Sequence, residues 1–238
     1  MAWVRADVSG GDRAGDVDSG CRGGRVAAHR YLSAVVAGQR FLEVERIELR
    51  PLPVPEADDR VRLPGIPASR PLIYLTLGTV FGTRELLTEA IAGLARLDAH
   101  VIVAAGRLDP DEVGPAPGNV SVHGWVPQAG LLSHADVVVH HGGSGTALGA
   151  LSSAVPQLLL PQGADQFANA DAVEAAGAGI RLADGDIGAD AIADAAQRLP
   201  QRRGNDYRAA AEAIAGEIAR MPGPDEVVDW LREVPRGR

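Results

Sequence analysis

From residue 72 onward the chain alternates short apolar runs with longer amphipathic stretches, and this alternation limits the fold more than any other feature. The apolar runs predict six strands, at 72–78, 100–106, 119–124, 136–141, 156–161 and 179–182. Helices are predicted at 84–97, 128–133, 144–154, 165–176, 189–199, 205–220 and 225–232. Strands that alternate with helices form βαβ units, whose parallel sheet is covered by helices on both faces. The predicted fold class is therefore α/β, with a doubly wound parallel sheet.

The N-terminal part of the chain has a different composition. Residues 1–30 are rich in Gly, Asp, Arg and Ala without a clear period, which predicts a poorly structured segment. Residues 41–54 are predicted to be extended, and residues 51–71 carry six prolines, as a linker does. We therefore expect an N-terminal extension that ends near residue 70, followed by one folded domain over residues 71–238.

Charge and composition exclude several classes of function. The formal net charge of −8 opposes non-specific binding to nucleic acid, which requires a basic face. Cys21 is the only cysteine, so no disulfide can form within the chain, and this fits a reducing compartment. The sequence has no apolar run of about 18 residues, the length that a membrane span requires, and its N-terminus lacks the apolar centre of a signal peptide. The predicted location is cytoplasmic, away from membranes.

The segment "HHGGSGT", residues 140–146, follows a predicted buried strand and precedes a predicted helix. Its three glycines allow a positive φ and let a ligand approach the main chain closely. A helix that begins at Ser144 or Thr146 directs unpaired N–H groups and the positive end of its dipole at the same place. Such a turn is suited to binding phosphate, and a neighbouring imidazole can donate one more hydrogen bond.

The residues of this turn do not fit other glycine-rich motifs. A P-loop requires a lysine that the segment lacks, and a nucleophile elbow requires glycine where Thr146 stands. All six histidines also precede Ser144, against the usual order of such hydrolases. A metal site is disfavoured because His140 and His141, as neighbours on a strand, point to opposite faces. A plain tight turn with no ligand stays open as the alternative.

Three further features follow other predicted strands. Trp125 could stack on a flat base, and Val126, fixed before a proline, could offer main-chain groups to the edge of that base. Asp165 and Gln166 combine acceptor and donor groups that suit sugar hydroxyls. Thr79 directly follows the first predicted strand and could reach the same phosphate region. For Trp125 the alternative is a packing role, and for Asp165 it is a helix N-cap.

Through these motifs the chain resembles the C-terminal, donor-binding half of GT-B nucleotide-sugar glycosyltransferases. The resemblance is carried by "TLGTVFG", "GWVPQ", "HHGGSGT" and "GADQFANA", in that order, and is strong over residues 71–182. It is closest to the bacterial natural-product enzymes of the macrolide and aromatic polyketide type, related to the UDP-glycosyltransferases. The implied fold is a single Rossmann-like half of the GT-B architecture.

The resemblance also implies which residues hold the sugar donor, a UDP- or TDP-sugar. The segment around the glycines matches the diphosphate site, Trp125 and Val126 match the nucleobase site, and Asp165 and Gln166 match the pair near the sugar. The implied donor-binding residues are Thr79, Trp125, Val126, His140, Gly142, Ser144, Gly145, Thr146, Asp165 and Gln166. Leu148 stands where plant-type relatives have a ribose-binding glutamate, so that contact is not expected.

In this family the reaction is an inverting transfer without a cofactor. A base removes the proton of an acceptor hydroxyl, whose oxygen attacks the anomeric carbon while the nucleoside diphosphate leaves. His140 and the helix N-terminus are expected to take the place of a metal. Complete members carry the acceptor pocket and the basic histidine in an N-terminal domain, for which residues 1–70 are too few. We therefore expect no catalytic residue in this chain.

Two functions remain open from the sequence. The first is a glycosyltransferase of small natural-product acceptors that needs an acceptor domain from a separate chain. The second is a non-catalytic nucleotide-sugar-binding module or decayed fragment. An epimerase of nucleotide sugars is a more distant third. We also expect self-association through the face that would meet the acceptor domain, because exposed apolar patches seldom remain uncovered.

Overall fold

The computed structural model describes residues 2–5, 45–52, 70–79, 82–183, 185–199 and 206–233. The strands within these ranges are β1 (Ala2–Arg5), β2 (Glu45–Glu48), β3 (Leu72–Thr76), β4 (His100–Ala104), β5 (Val120–His123), β6 (Val137–His140), β7 (Gln157–Leu159) and β8 (Gly179–Arg181). The helices are α1 (Arg84–Leu94), α2 (Pro110–Val113), α3 (Gln128–Leu132), α4 (Ser144–Ser152), α5 (Gln166–Ala175), α6 (Ala189–Arg198), α7 (Asp206–Ala219) and α8 (Pro224–Glu233).

Six of the strands form one parallel sheet in the order β5-β4-β3-β6-β7-β8. The chain builds outward from β3 in one direction, then returns to the other side of β3 and builds outward again. The order therefore reverses between β3 and β6, where Thr76 and His140 lie side by side at the ends of their strands. In open α/β sheets ligands bind beyond the carboxyl ends of the strands at this switch point.

The strands are buried because both faces of the sheet are covered. Successive side chains of a strand point to opposite faces. Ile73 and Leu75 of β3 pack into the core that contains the buried residues of α1 and α6, whereas Leu72 and Tyr74 join the core beneath α3. A further core joins α4, α5 and α7. Near-continuous apolar strands are what a parallel sheet with two covered faces requires.

The predicted α/β fold is confirmed, with each of the six strands and seven helices expected after residue 71 present. The short α2 was not expected. It begins at Pro110 behind an N-cap at Asp109, whose carboxylate accepts from the amide of Asp111 at 3.0 Å. Among the described residues, no helix combines the length and apolar character that crossing a bilayer would require.

The N-terminal part is described in two short pieces. The strands β1 and β2 pair antiparallel with each other, a pairing that was not expected. The stretch after β2 meets the end of the domain, where the amide of Arg50 donates to the carbonyl of Pro222 at 3.0 Å. Most of the segments predicted to be poorly structured or a linker lie outside the described residues, and the domain boundary near residue 70 stays a prediction.

Candidate functional site

The turn that follows β6 lies at the switch point of the sheet, beside the turn that follows β3. The imidazole of His141 fills the space between the two turns. A Cβ atom added to Gly78 would lie 2.6 Å from Cε1 of His141, and one added to Gly143 would lie 2.5 Å from its Nε2. Each turn therefore has a glycine where the ring passes, and Gly78 also has a positive φ of 70°.

His140, the last residue of β6, is fully buried behind the turn. Its Nε2 lies 2.8 Å from Oε1 of Gln157, and its Nδ1 accepts the amide proton of Gly142 at 3.1 Å. Since Nδ1 accepts, the neutral ring carries its proton on Nε2 and donates it to Gln157. Burial lowers the pKa of His140 to about 3, although the hydrogen bond to Gln157 opposes that shift. With both nitrogens bonded inside the protein, His140 holds the turn from behind and has no ring nitrogen left for a ligand.

His141 also belongs to the site, although it was not among the donor-binding residues expected from the sequence. Its ring is half-buried, and among the described residues Nδ1 has no hydrogen-bond partner. Burial lowers the pKa of His141, while a hydrogen bond with the main chain of Thr76 and the negative charge of Asp165 oppose the shift. Strand alternation is the signal that could have found it. If the strand buries His140, its neighbour must face the other way.

The helix α4 begins at Ser144, and its first turn has unpaired amides. Its N-cap residue is Gly143, at φ −63° and ψ 139°, and no side chain of the described residues caps the helix. The first bond into the helix runs from the amide of Ala147 to the carbonyl of Gly143, at 3.0 Å. Within the described chain, the amides of residues 143–146 therefore have no acceptor, as expected for the first turn of an uncapped helix. The amide of Gly142, expected to join them, is bonded to His140 instead.

Glycines 142 and 145 serve this turn in different ways. Gly142 has a φ of 89°, and a Cβ there would lie 2.9 Å from the carbonyl oxygen of Gln166. It is therefore required both by its conformation and by the close approach of α5. Gly145 is exposed, and a Cβ there would meet no atom of the described residues within 4 Å. The space over Gly145 is open to a ligand.

The polar side chains of the turn point to two sides. Ser144 donates from Oγ to Oδ2 of Asp165 at 3.0 Å, which joins the turn to the start of α5. Thr146 is buried and donates from Oγ1 to Oε1 of Gln128 at 3.2 Å, so its hydroxyl faces the protein. Asp165 is exposed and is the N-cap residue of α5, as the alternative interpretation expected, but its side chain makes no capping hydrogen bond. Gln166 is buried, and its Oε1 accepts from the amide of Gln162 at 2.8 Å.

Beside the turn runs a groove of about 800 Å³. Trp125 lines it with 59% of its surface exposed, while Val126 is buried in the wall. Gly145 and Leu148 lie in the same groove, which therefore begins at the unpaired amides of α4. The groove is mainly apolar at this end. A planar ring could therefore lie flat against the exposed face of Trp125 while its polar edge stays free for hydrogen bonds.

Thr79 does not line this groove and lies at a separate cavity. It is exposed, and its carbonyl accepts from Nη1 of Arg107 at 3.4 Å. A smaller cavity of about 270 Å³ lies here, lined in part by Gly78, Thr79, Thr83 and Arg107. The described residues contain no cluster of three or more His, Cys, Asp or Glu side chains that could hold a metal ion.

Comparison with known proteins shows the family of the chain. Residues 88–234 match the family described as "Erythromycin biosynthesis protein CIII-like, C-terminal domain". Elloramycin glycosyltransferase ElmGT of Streptomyces olivaceus is 36% identical over 168 residues, which cover 68% of this chain and 41% of the relative. The chain thus spans less than half the length of this relative.

Solved structures give the same result. The glycosyltransferase SnogD from Streptomyces nogalater aligns with a TM-score of 0.68 and 30% identity, covering 84% of this chain and 54% of that one. The glycosyltransferase VinC in complex with DTDP aligns with a TM-score of 0.65 and 31% identity, covering 79% and 47%. The resemblance inferred from the motifs is confirmed, and the chain belongs to the family of erythromycin biosynthesis protein CIII-like C-terminal domains.

Proposed function

We propose that this chain is the donor-binding half of a glycosyltransferase. It binds a nucleoside-diphosphate sugar for inverting transfer to a hydroxyl group of a small natural-product acceptor. The observation that carries the proposal is the first turn of α4, which follows β6 at the switch point. Its amides at residues 143–146 have no acceptor among the described residues, and its Gly145 lines the groove. An amide set of this kind at a helix N-terminus binds phosphate oxygens.

The diphosphate is placed over the turn. The amides donate to its oxygens, and the half-buried ring of His141 lies beside Gly143 at the same turn. During transfer, negative charge develops on the departing nucleoside diphosphate, and fixed donors aimed at that charge stabilise the transition state. In this arrangement His140 acts indirectly, through the turn that it holds. Thr79 stands on the phosphate side of the turn.

The nucleoside lies along the groove. Its base stacks on the exposed face of Trp125, and the main chain at Val126 meets the edge of the base. We propose thymidine diphosphate as the nucleotide, because VinC, a structural neighbour, was solved in complex with DTDP. Asp165 and Gln166 stand on the sugar side of the turn. Gln166 is buried and its Oε1 is already bonded, whereas Asp165 is exposed and is bonded through Oδ2, so we assign its Oδ1 to a sugar hydroxyl.

The acceptor and the base that deprotonates it are assigned to another domain. None of the proposed donor-binding residues serves as a base in this scheme, so the chain supplies binding and leaving-group stabilisation. The partner is a separate acceptor-domain chain or a second copy that covers the groove. Sedimentation at rising protein concentration tests the second copy, since a chain that stays monomeric would exclude it.

Calorimetry with TDP, UDP and thymidine tests the binding proposal. We expect TDP to bind at least about tenfold more tightly than thymidine, because only TDP reaches the amides of α4. Equal affinities would contradict a diphosphate site at this turn. The alternative function, a binding module without catalysis, rests on the same amides. Transfer of the sugar when an acceptor-domain protein is added supports the enzyme, and binding without transfer under those conditions supports the module.

A further inference from the structure

We infer that Asn169 is a positioning residue of the proposed donor site. The sequence motifs assigned no role to this residue. Asn169 lies in α5 and is fully buried. Its Nδ2 lies 2.8 Å from the carbonyl oxygen of Gly142, 3.1 Å from Oγ of Ser144 and 3.1 Å from Oδ2 of Asp165. One amide thus joins the glycine turn to the sugar-side carboxylate. The inference rests on the proposed function of that site.

The bond to Gly142 determines where the neighbouring amide points. The carbonyl of Gly142 and the N–H of Gly143 belong to one planar, trans peptide group, in which they point in opposite directions. Asn169 draws the carbonyl into the protein, and the N–H of Gly143 is therefore aimed outward, toward the site. Without that bond the peptide of a glycine pair could rotate, because neither glycine has a side chain to restrain it.

Asn169 also restrains the acidic side of the site. Asp165 is exposed, so its carboxylate would otherwise sample several rotamers in solvent. Donors from Asn169 and Ser144 both bind its Oδ2, which leaves Oδ1 as the oxygen directed away from the cluster. A fixed carboxylate stays beside the sugar rather than swinging toward the diphosphate, where like charges would repel.

The variant Asn169→Asp tests the inference because it keeps the size of the side chain and removes both N–H groups. The matched control is Asn119→Asp. The Nδ2 of Asn119 likewise donates to main-chain carbonyls, of Leu97 at 3.2 Å and Ala99 at 3.1 Å, but before β5 at the opposite edge of the sheet. Affinities for TDP and for thymidine are measured for each protein, with melting temperature as the check on folding.

We expect Asn169→Asp to weaken TDP binding about tenfold or more while thymidine binding stays unchanged, and Asn119→Asp to alter neither. Unchanged TDP binding by Asn169→Asp, or equal loss for both ligands, would overturn the inference. Should this variant not fold, Asn169→Ser is measured in the same way, and failure of both to fold while Asn119→Asp folds would make Asn169 a structural residue only. A wild-type chain that does not bind TDP would instead refute the proposed function.

Discussion

Gly145 is the residue at which binding and folding can be separated. Its position in α4 is exposed, and a methyl group there would lie more than 4 Å from every other part of the chain that the structure describes. Alanine is favoured over glycine within a helix by up to about 1 kcal/mol. Gly145→Ala should therefore keep or raise the melting temperature. The same methyl group would cover the unpaired amides, so we expect TDP affinity to fall about tenfold or more by calorimetry. Full affinity in a folded variant would place the diphosphate elsewhere.

The two histidines show how far the sequence predicts single residues. The pattern of glycines, hydroxyls and histidines predicted the turn and its place after a buried strand. It did not show that the ring of His140 is bonded inside the protein, because that bond depends on Gln157, which is 17 residues away in sequence and reaches His140 with its side chain from the neighbouring strand β7. Asn169 was missed for the same reason. Its importance comes from contacts with Gly142 and Ser144 that only the packing of α5 creates.

At the scale of elements, the contact between α1 and α6 requires a glycine. A Cβ added to Gly93 would lie 2.4 Å from the carbonyl oxygen of Ala189, which is main chain and cannot turn aside. Gly93→Ala should destabilise the domain by about 1–3 kcal/mol, as overpacking of a core does. The control is Gly216→Ala in α7, where the nearest atom is the end of the Arg220 side chain at 3.7 Å.

Urea unfolding of both glycine variants tests this contact. The control should be as stable as the parent, or more stable by up to about 1 kcal/mol through helix propensity. If both variants had the same free energy of unfolding, the close approach of α1 to α6 would be wrong. TDP binding should survive in both variants, since neither glycine lies at the carboxyl edge of the sheet.

Elements were more predictable than residues because their signals are local. Apolar runs gave each strand of the parallel sheet, and amphipathic periods gave the longer helices. The pairing of β1 with β2 joins segments some 40 residues apart, and no local sequence pattern predicts that these two segments pair. The strand order was likewise inferred only as a class, since the apolar runs do not say which strand lies beside which.

At the scale of the whole molecule, burial of histidine links stability to pH. In the folded chain the pKa of His140 is lowered from 6.5 to about 3, so the unfolded chain binds more protons between these values. The free energy of unfolding should thus be unaffected by this group above pH 6.5 and fall as the pH drops below it. The slope for one such group approaches about 1.4 kcal/mol per pH unit.

Chemical unfolding between pH 7 and 4, for the parent and for His140→Asn, isolates this contribution. Asparagine can still accept the amide proton of Gly142 but does not titrate, so the variant should lose less stability on acidification. Carboxylates add their own slope to both proteins, which is why the difference between the two is the quantity to compare. Parallel pH profiles would mean that His140 is not buried in the neutral form.

The most direct test of the site is an NMR titration of the backbone amides with TDP and, separately, with thymidine. We expect the amide signals of residues 143–146 to move strongly downfield with TDP and to stay in place with thymidine, while the Gly142 amide, already bonded to His140, moves little. If TDP leaves these four amides unmoved, or if thymidine moves them equally, the first turn of α4 does not bind a diphosphate.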